Sequence, residues 1–527
     1  MGRSERKRLA VAWRVVVCAS LALAATAAAG SRSPAAEALE QAVALVREGR
    51  LDEADDLAQS ALADPETRAV ACSVLGTIRI QQQRLPEAVK LLTEALRLEP
   101  RLIGAQLSLA QVYSLQGQTE QALAGFRRVL ELDPGNPPAR LALARAEVEQ
   151  GNYKEALTLV EPVRPALVRN ADGLYVLAAA LLKTGRQDEA AQLVEDWKRL
   201  PDVSQDAWIG FGTLLVQGGA VDAGIGVLDA AKELGPPRYE IAFNLAGAYV
   251  LKQDRGRALA YYDAALGLKP DSLDALRLAA PLAERNGELE RSLSYWLRAK
   301  KLAPDDPEIL LGFGRVCLKM DLLEDAEPAL VRALALKPGE IPYQFTLAAV
   351  KVGKRQFEEA QKLLEPLVAA HPQDAHLQYA LGAVLYLQGE LQGAARHLKE
   401  SLRLRPGDLA SNYYLALVAR DEGRDEEAVT LLREVLQRNA DHPLANEVLG
   451  ELLMRTNQYE EAERHLRKAV ALDPRSVRAN YQLGLLLARM GKKEQADQQL
   501  AYVKTLREED QQSSRVQLRL LDPDEVQ

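Results

Sequence analysis

One small apolar position recurs along the chain every 34 residues. Alanine occupies it at twelve of fourteen places: Ala54, Ala88, Ala122, Ala156, Ala190, Ala258, Ala326, Ala360, Ala394, Ala428, Ala462 and Ala496. Two steps miss, because residue 224 is Gly, with Ala223 one place early, and residue 292 is Ser. A fixed period of this length predicts a solenoid of repeated helical units over nearly the whole chain.

The repeated unit is predicted to be a pair of helices of about a dozen residues each. With the recurrent alanine set as position 20, fourteen units run from residue 35 to residue 510. Gly at position 15 and Pro at position 32 mark the two breaks, because Gly ends a helix at positive φ and Pro cannot continue one. Position 8 is Gly or Ala in all fourteen units, as closely crossing helices require. The position-15 glycines are Gly49, Gly117, Gly151, Gly185, Gly287, Gly389, Gly423 and Gly491.

Two segments, 104–134 and 480–500, follow the pattern of a known family closely. Over residues 35–510 the chain resembles the tetratricopeptide repeat proteins. The resemblance implies an all-α fold, a right-handed α-solenoid of tandem tetratricopeptide helix-turn-helix repeats. It also implies a non-enzymatic binding scaffold, although such a fold alone does not specify the ligand.

The predicted domain order is a signal peptide or N-terminal membrane anchor, a short linker, a repeat array and a capping or disordered tail. These segments span residues 1–29, 30–34, 35–510 and 511–527. Within the array, a divergent repeat at 204–237 separates a first arm at 35–203 from a second arm at 238–510. It holds seven glycines and is predicted to slip by one residue, so both a bend between the arms and a tolerated weak repeat fit it.

The first 29 residues have the composition of an export signal. Residues 1–14 are basic, and residues 15–29 form an uncharged apolar run that ends in small residues, as in secretory signal peptides. Cleavage is expected after Ala29, with Ala27 as the alternative. If the segment stays uncleaved, residues 9–29 would anchor the protein and form its only membrane contact. We therefore expect an exported protein, periplasmic or associated with the cell envelope of a bacterium.

Charge and cysteine content exclude several classes of partner and bond. The formal net charge is −8, and removal of residues 1–29, with five basic residues and one acidic residue, gives −12. An acidic body is a poor partner for nucleic acid or an anionic membrane, so neither is expected. Cys72 and Cys317 lie 245 residues apart, too far along a solenoid to pair, and are expected to be buried thiols.

The sequence contains no constellation of catalytic residues. A Gly-rich phosphate loop, an HExxH motif and a CxxC motif are all missing, and no enzyme activity or cofactor is predicted. The five histidines have spacings that match no metal site, and solvated turn positions are expected for most of them. They are His371, His376, His397, His442 and His465.

Candidate binding residues come from the resemblance, which implies that positions 2, 5, 9 and 12 of each first helix line an inner groove. We call these register positions the inner face. Position 5 is assigned an aromatic series that could form a ladder for an extended peptide or a glycan: Tyr175, Trp208, Phe243, Phe345, Tyr379, Tyr413 and Tyr481. Packing of these rings against the next repeat is the alternative. Arg145 and Arg315, both at position 9, are predicted to be isolated cations that could each meet a carboxylate or simply be solvated.

The first functional hypothesis is an exported scaffold that mediates protein–protein interaction in the bacterial cell envelope and holds a peptide or protein in the groove. The alternative is an accessory protein of exopolysaccharide or outer-membrane assembly, in which the groove aromatics bind glycan. An enzyme would need an additional α/β domain, for which residues 511–527 leave no room.

Overall fold

The computed structural model describes residues 33–512. The predicted signal at 1–29, the linker up to residue 32 and the tail from residue 513 lie outside the described residues. Within residues 33–512 there are 29 α-helices, two short 3-10 segments at Ala61–Ala63 and Glu161–Val163, and no β-strand. Contacts between Cα atoms separate two compact units, the first ending at Leu268 and the second beginning at Lys269.

The first unit contains fifteen of the described helices. They are α1 (Pro34–Glu48), α2 (Leu51–Ser60), α3 (Arg68–Gln81), α4 (Leu85–Leu98), α5 (Ile103–Leu115), α6 (Thr119–Leu132), α7 (Pro137–Gln150), α8 (Tyr153–Val160), α9 (Arg164–Leu167), α10 (Ala171–Lys183), α11 (Gln187–Lys198), α12 (Gln205–Gln217), α13 (Val221–Lys232), α14 (Tyr239–Leu251) and α15 (Arg255–Leu268).

The second unit contains the remaining fourteen described helices. They are α16 (Leu273–Arg285), α17 (Leu289–Leu302), α18 (Pro307–Lys319), α19 (Leu323–Leu336), α20 (Ile341–Gly353), α21 (Phe357–Ala370), α22 (Ala375–Gln388), α23 (Leu391–Leu404), α24 (Leu409–Asp421), α25 (Asp425–Arg438), α26 (Pro443–Arg455), α27 (Tyr459–Leu472), α28 (Val477–Arg489) and α29 (Lys493–Gln512).

Every described helix except the four-residue α9 belongs to one of fourteen consecutive helical hairpins, and the two helices of each hairpin pack against each other. Each hairpin also packs on the next one within its unit. Because a single hairpin cannot bury its apolar face alone, this stacking supplies the core. The predicted fold class, an α-solenoid of tetratricopeptide-type hairpins, is confirmed.

The 34-residue register holds without interruption in all fourteen repeats. In each one, the N–H of position 20 donates to the carbonyl of position 16, with N–O distances of 2.9 to 3.2 Å. Gly224 and Ser292 make this bond as the alanines do, to Ala220 and Glu288. The predicted slip at the sixth repeat is therefore wrong: Gly224, not Ala223, takes the alanine position, and the repeat begins at residue 205.

The turn inside each hairpin requires a left-handed backbone at position 15. All eight position-15 glycines named from the sequence have positive φ, and so does Gly219 in the sixth repeat. The other five repeats place a residue with a side chain there at φ near 60°: Gln83, Gln253, Asp321, Arg355 and Asn457. Since such a residue pays a steric cost in this conformation, the common backbone path, not the residue type, determines the turn.

The crossing of the two helices in a repeat is closest at position 8. A Cβ added to Gly76 would lie 2.6 Å from Leu92, and one added to Gly450 would lie 2.6 Å from Leu466. The predicted close approach at position 8 is thus confirmed, with a leucine at position 24 filling the space. Cys72 and Cys317 are buried thiols, as expected. Within residues 33–512 no helix is both long and apolar enough to cross a bilayer.

Candidate interaction surface

The predicted aromatic ladder at position 5 is largely part of the packing between repeats. Phe345 is fully buried, and its ring lies 5.0 Å from that of His376 at the start of the next repeat. Tyr379 is buried as well, while Phe243 and Tyr413 are partly buried. Only Tyr175 and Tyr481 of the series are more than a third exposed, at 38% and 37%. A continuous ladder open to a ligand is therefore not formed.

Trp208 lies in an aromatic core rather than on the inner face. Because the sixth repeat begins at residue 205, Trp208 occupies position 4, and Ile209 occupies position 5. The Trp208 ring lies edge-on to the Trp197 ring, with centroids 6.2 Å apart, and the Trp197 ring stacks on that of Phe211 at 4.0 Å. The assignment of Trp208 to the ladder was wrong by one residue, since it assumed the slip that the structure does not show.

The two arginines predicted to be isolated cations both lie in ion pairs. Arg145 pairs with Asp172 at the start of the following repeat. Arg315 lies 3.5 Å from Glu284 of the preceding repeat, whose carboxylate also lies 3.0 Å from the Lys319 ammonium. Neighbouring repeats thus supply the carboxylate that was expected from a ligand.

A cluster of charged and aromatic side chains occupies the inner face of repeats 11 to 14. We call it the inner network and define it by seven residues: Tyr386, Tyr413, Arg420, Asp421, Glu447, Glu451 and Arg478. All except Asp421 stand at positions 2, 5, 9 or 12 of helices α22, α24, α26 and α28. Asp421 stands at position 13, next to Arg420.

One half of the inner network joins repeats 11 and 12. The Tyr386 hydroxyl donates to Asp421 Oδ2 at 2.8 Å and accepts from Arg420 Nη2 at 3.1 Å. Arg420 Nε donates to Asp421 Oδ1 at 2.7 Å. Burial, followed by the hydrogen bond to Asp421, raises the pKa of Tyr386 to about 12. The phenol is therefore a neutral donor at physiological pH.

The other half joins repeats 13 and 14 through two buried carboxylates. Arg478 donates to Glu447 at 3.1 Å and to Glu451 at 2.7 Å, and Arg455 also donates to Glu451 at 2.6 Å. Burial raises the pKa of Glu447 despite Arg478 and a hydrogen bond from Ser476 at 3.1 Å. Burial opposes ionisation of Glu451 too, but the arginines outweigh it and lower the pKa of that carboxyl.

Aromatic rings back the inner network. Tyr414 lies edge-on to Tyr379, Tyr386 and Tyr413, with centroid distances between 5.7 and 5.9 Å. Tyr413 also stacks on His442 at 5.2 Å. Because buried phenols and imidazoles disfavour charge, the pKa of Tyr413 is raised and that of His442 is lowered by burial.

Two histidines expected in solvated turns are instead part of a repeated polar contact, which we call the amide clasp. In repeat 13 the ring Nδ1 of His465 donates to the side-chain oxygen of Asn446 at 2.8 Å, and the Asn446 amide donates to the Ala440 carbonyl at 3.0 Å. Repeat 11 has the same arrangement with His397 and Gln378, at 2.7 Å. The clasp ties position 4 to position 23 and to the preceding turn, so these histidines are structural.

The arrangement suits the binding of another molecule by side-chain contact. Within residues 33–512 no group of three or more His, Cys, Asp and Glu side chains is placed to hold a metal ion. The exposed edge of the inner network offers Arg455 and Arg478, each about half exposed and each oriented by buried Glu451, together with Leu444 at 49% exposure. Pre-oriented arginines beside apolar and aromatic side chains are typical of sites that bind protein segments.

Sequence reasoning identified Tyr413 and Tyr481 at this end of the chain but missed the charged residues. The signal was present: Arg420, Glu447, Glu451 and Arg478 fall on positions 12, 5, 9 and 2 of consecutive first helices. Glu447 stands at position 5, where the aromatic series does not include repeat 13. Charges of opposite sign at facing inner positions of adjacent repeats would have predicted the pairing.

Models of known protein families match most of the described residues. Models described as tetratricopeptide repeat match residues 74–137, 115–179, 171–196, 209–273, 243–307, 277–341, 345–408 and 385–452. A model described as TPR repeat matches residues 450–491. Together these segments cover more than half of the 527 residues. Among curated proteins, none matches this sequence.

Several solved structures are similar in fold. The Cut9–Hcn1 hetero-tetramer of the APC/C contains a chain with 15% identity and a TM-score of 0.40, over 84% of this chain and 95% of that one. A tetratricopeptide repeat protein from Parabacteroides merdae has 17% identity and a TM-score of 0.39, over 47% and 98%. YrrB, titled a TPR protein with an unusual peptide-binding site, has 21% identity and a TM-score of 0.30, over 35% and 95%. At identities this low the likeness concerns the fold alone.

Proposed function

The chain belongs to the tetratricopeptide repeat proteins, and we propose that it is an exported, non-enzymatic scaffold of the bacterial cell envelope. In this proposal the inner face of repeats 11 to 14 holds a segment of a protein partner. The observation that carries it is the inner network, where buried Glu447 and Glu451 fix a half-exposed Arg478 at the surface. Buried charges are costly, and a fold that keeps them at an inner face pre-orients donors for a ligand.

The glycan alternative receives no support from the placement of the aromatic side chains. Saccharide rings stack on open aromatic faces, whereas Trp208, Phe345 and Tyr379 are buried against their neighbours. Export remains supported by the composition of residues 1–29 alone.

Site-specific photo-cross-linking tests the binding surface. A photoreactive amino acid at Leu444 or Tyr481, both exposed on first helices, is expected to form an adduct with one partner in envelope extract. Val331 is the matched control, because it is 49% exposed but lies on a second helix. Equal adducts at all three positions, or none at the two inner ones, would contradict the proposed surface, and saturable binding of the same protein on a glycan array would favour the alternative.

A reporter fusion tests export separately. Residues 1–34 fused to a phosphatase that is active only outside the cytoplasm are expected to give activity. Deletion of the apolar run at 15–29 is expected to abolish it. Activity that persists after the deletion would show that the segment is not the signal.

A further inference from the structure

One arginine nitrogen on the inner face has no hydrogen-bond partner within residues 33–512. The Arg420 side chain is only 10% exposed, and its Nη1 is buried with no hydrogen-bond partner among the described residues. Its other two nitrogens are used, since Nε donates to Asp421 and Nη2 donates to Tyr386. A buried donor left without an acceptor is unfavourable, and a guanidinium more so than a neutral group.

The fold does not supply the missing acceptor from the next repeat. Glu451, on the neighbouring first helix, contributes its charge to the surroundings of Arg420. However, its two carboxylate oxygens already accept hydrogen bonds, one from Arg478 at 2.7 Å and the other from Arg455 at 2.6 Å. The Glu447 carboxylate is likewise occupied by Arg478 and by Ser476. Both carboxylates of the neighbouring first helix thus already accept from other donors, and neither is bonded to Arg420 Nη1.

Solvent reaches this cluster at Asp421, as it does at Arg455 and Arg478. Asp421, which orients the Arg420 guanidinium, is 36% exposed, whereas the arginine beside it is nearly enclosed. An acceptor that reaches Nη1 would meet a guanidinium whose orientation is already fixed by Asp421 and Tyr386. Pre-orientation of this kind reduces the entropy lost on binding.

We propose that Arg420 receives a carboxylate side chain, that of an Asp or Glu, from the protein segment bound on the inner face of repeats 11 to 14. The inference rests on the proposed function and adds to it the chemistry of one contact. A carboxylate suits the vacant donor better than a neutral carbonyl, because a charge-assisted hydrogen bond is about twice as strong. Tyr386 and Tyr413 supply the aromatic surface beside it.

Binding of two peptide pools to the full chain tests the contact. The pools consist of short synthetic peptides of random sequence, identical except that one contains Glu wherever the other contains Gln. By fluorescence anisotropy the Glu pool is expected to bind the unaltered protein about tenfold more tightly than the Gln pool. Arg420→Gln is expected to remove that difference, and Arg420→Lys to reduce it, since Lys keeps the charge but cannot make the forked contacts.

Arg433→Gln is the matched control. It makes the same change in the same repeat, but Arg433 lies on the second helix, where it pairs with Glu461 at 3.0 Å. The control should keep the preference for Glu, and circular dichroism of each variant establishes that it is folded. A preference for Glu that survives in Arg420→Gln would overturn the inference, because the carboxylate would then be received elsewhere.

The remaining outcomes separate this inference from the proposed function. If both pools bind the unaltered protein equally well and compete with the cross-linked partner at Leu444, the inner face binds peptide but Arg420 selects no carboxylate. If neither pool binds and no partner is cross-linked at Leu444 or Tyr481, the proposed function fails and the Arg420 contact fails with it.

Discussion

Repeats 6 and 13 have the same helix crossing but different side chains beside it. Both cross their helices at a position-8 glycine beneath a position-24 leucine, Gly212 on Leu228 and Gly450 on Leu466. At position 4, however, repeat 6 places Trp208 in an aromatic core and repeat 13 places Asn446 in an amide clasp. Position 5 is Ile209 in one and the buried Glu447 in the other. The same repeat backbone thus accommodates either apolar or polar side chains at positions 4 and 5. The side chains of the inner face can therefore differ from repeat to repeat without a change in the backbone.

The largest effect on stability is expected in the aromatic core of repeats 5 and 6. Trp197→Ala should destabilise repeats 5 and 6 by about 3 to 5 kcal/mol, because it removes a ring that is 1% exposed and stacked on Phe211. Hydrogen exchange of the amides in 187–217 measures this locally. Leu234→Ala, which alters a side chain that is 49% exposed in the same unit, should change exchange little. Equal losses in the two variants would refute the aromatic core.

In repeats 13 and 14 the loss of stability should depend on coupling between the charged residues. Glu451→Gln is expected to cost roughly 1 to 3 kcal/mol, because Arg478 and Arg455 lose a charged acceptor in a buried site. Adding Arg478→Gln should then cost less than it does alone, a coupling that a double-mutant cycle of urea unfolding measures. Strict additivity of the two changes would mean that the pair contributes no interaction energy.

Two glycines of α13 should give opposite results for the same substitution. A Cβ at Gly224 would lie 2.6 Å from Val216 and 2.8 Å from the Gly212 carbonyl, so Gly224→Ala should destabilise by about 1 to 3 kcal/mol. Gly226 has no such neighbour within 4 Å, so Gly226→Ala should stabilise by up to about 1 kcal/mol. Thermal unfolding of the two variants decides the matter, and melting shifts of the same sign would contradict the close helix contact.

Acid should affect repeats 11 to 13 more than it affects the first unit. Burial lowers the pKa of His397, His442 and His465 below the ordinary value of 6.5. The unfolded chain therefore binds protons first, and stability that is complete above about pH 6.5 falls as the pH drops toward the folded pKa values. Hydrogen exchange in 375–476 should quicken between about pH 7 and pH 5.5, relative to the intrinsic rate, more than exchange in the first unit, which has no histidine.

A His397→Gln/His465→Gln double variant is the control for that measurement. Glutamine keeps a donor for the clasp and does not titrate, so the difference between the two regions should shrink. Only the share contributed by His442, whose Nδ1 accepts from the Ala445 N–H at 3.1 Å, should remain. An unchanged pH response in the double variant would assign the effect to other groups.

The smallest effect is expected where the repeat pattern is broken by serine. Ser292 is fully buried and donates to the Ala280 carbonyl at 2.8 Å. Ser292→Ala removes this bond but restores the residue that fits twelve other repeats, so stability should change by less than about 1 kcal/mol. A larger loss by thermal unfolding would show that the hydroxyl holds the helix pair together.

The sequence predicted the periodic features well because each one is repeated. The alanine spacing, the eight glycines at position 15 and the close contact at position 8 all reappear in the structure. Local substitutions are harder to place: Ala223 beside Gly224 suggests a slip that the structure does not have, and the slip assigns Trp208 to position 5 instead of position 4. Side-chain partners were the hardest, because Arg145, Arg315 and Glu447 find theirs on neighbouring repeats that a single-unit pattern does not compare.

The unbroken bond from position 20 to position 16 has a consequence for how such a chain can change over generations. Removal or duplication of one whole 34-residue unit inside the array keeps the helix register of every remaining repeat, although the side-chain pairs between the newly joined repeats change. Loss of a single residue within a helix would instead rotate every later side chain of that helix by about 100° and expose its buried alanine. Insertions and deletions of whole 34-residue units are therefore compatible with the helix register. Insertions or deletions of single residues within a helix are not.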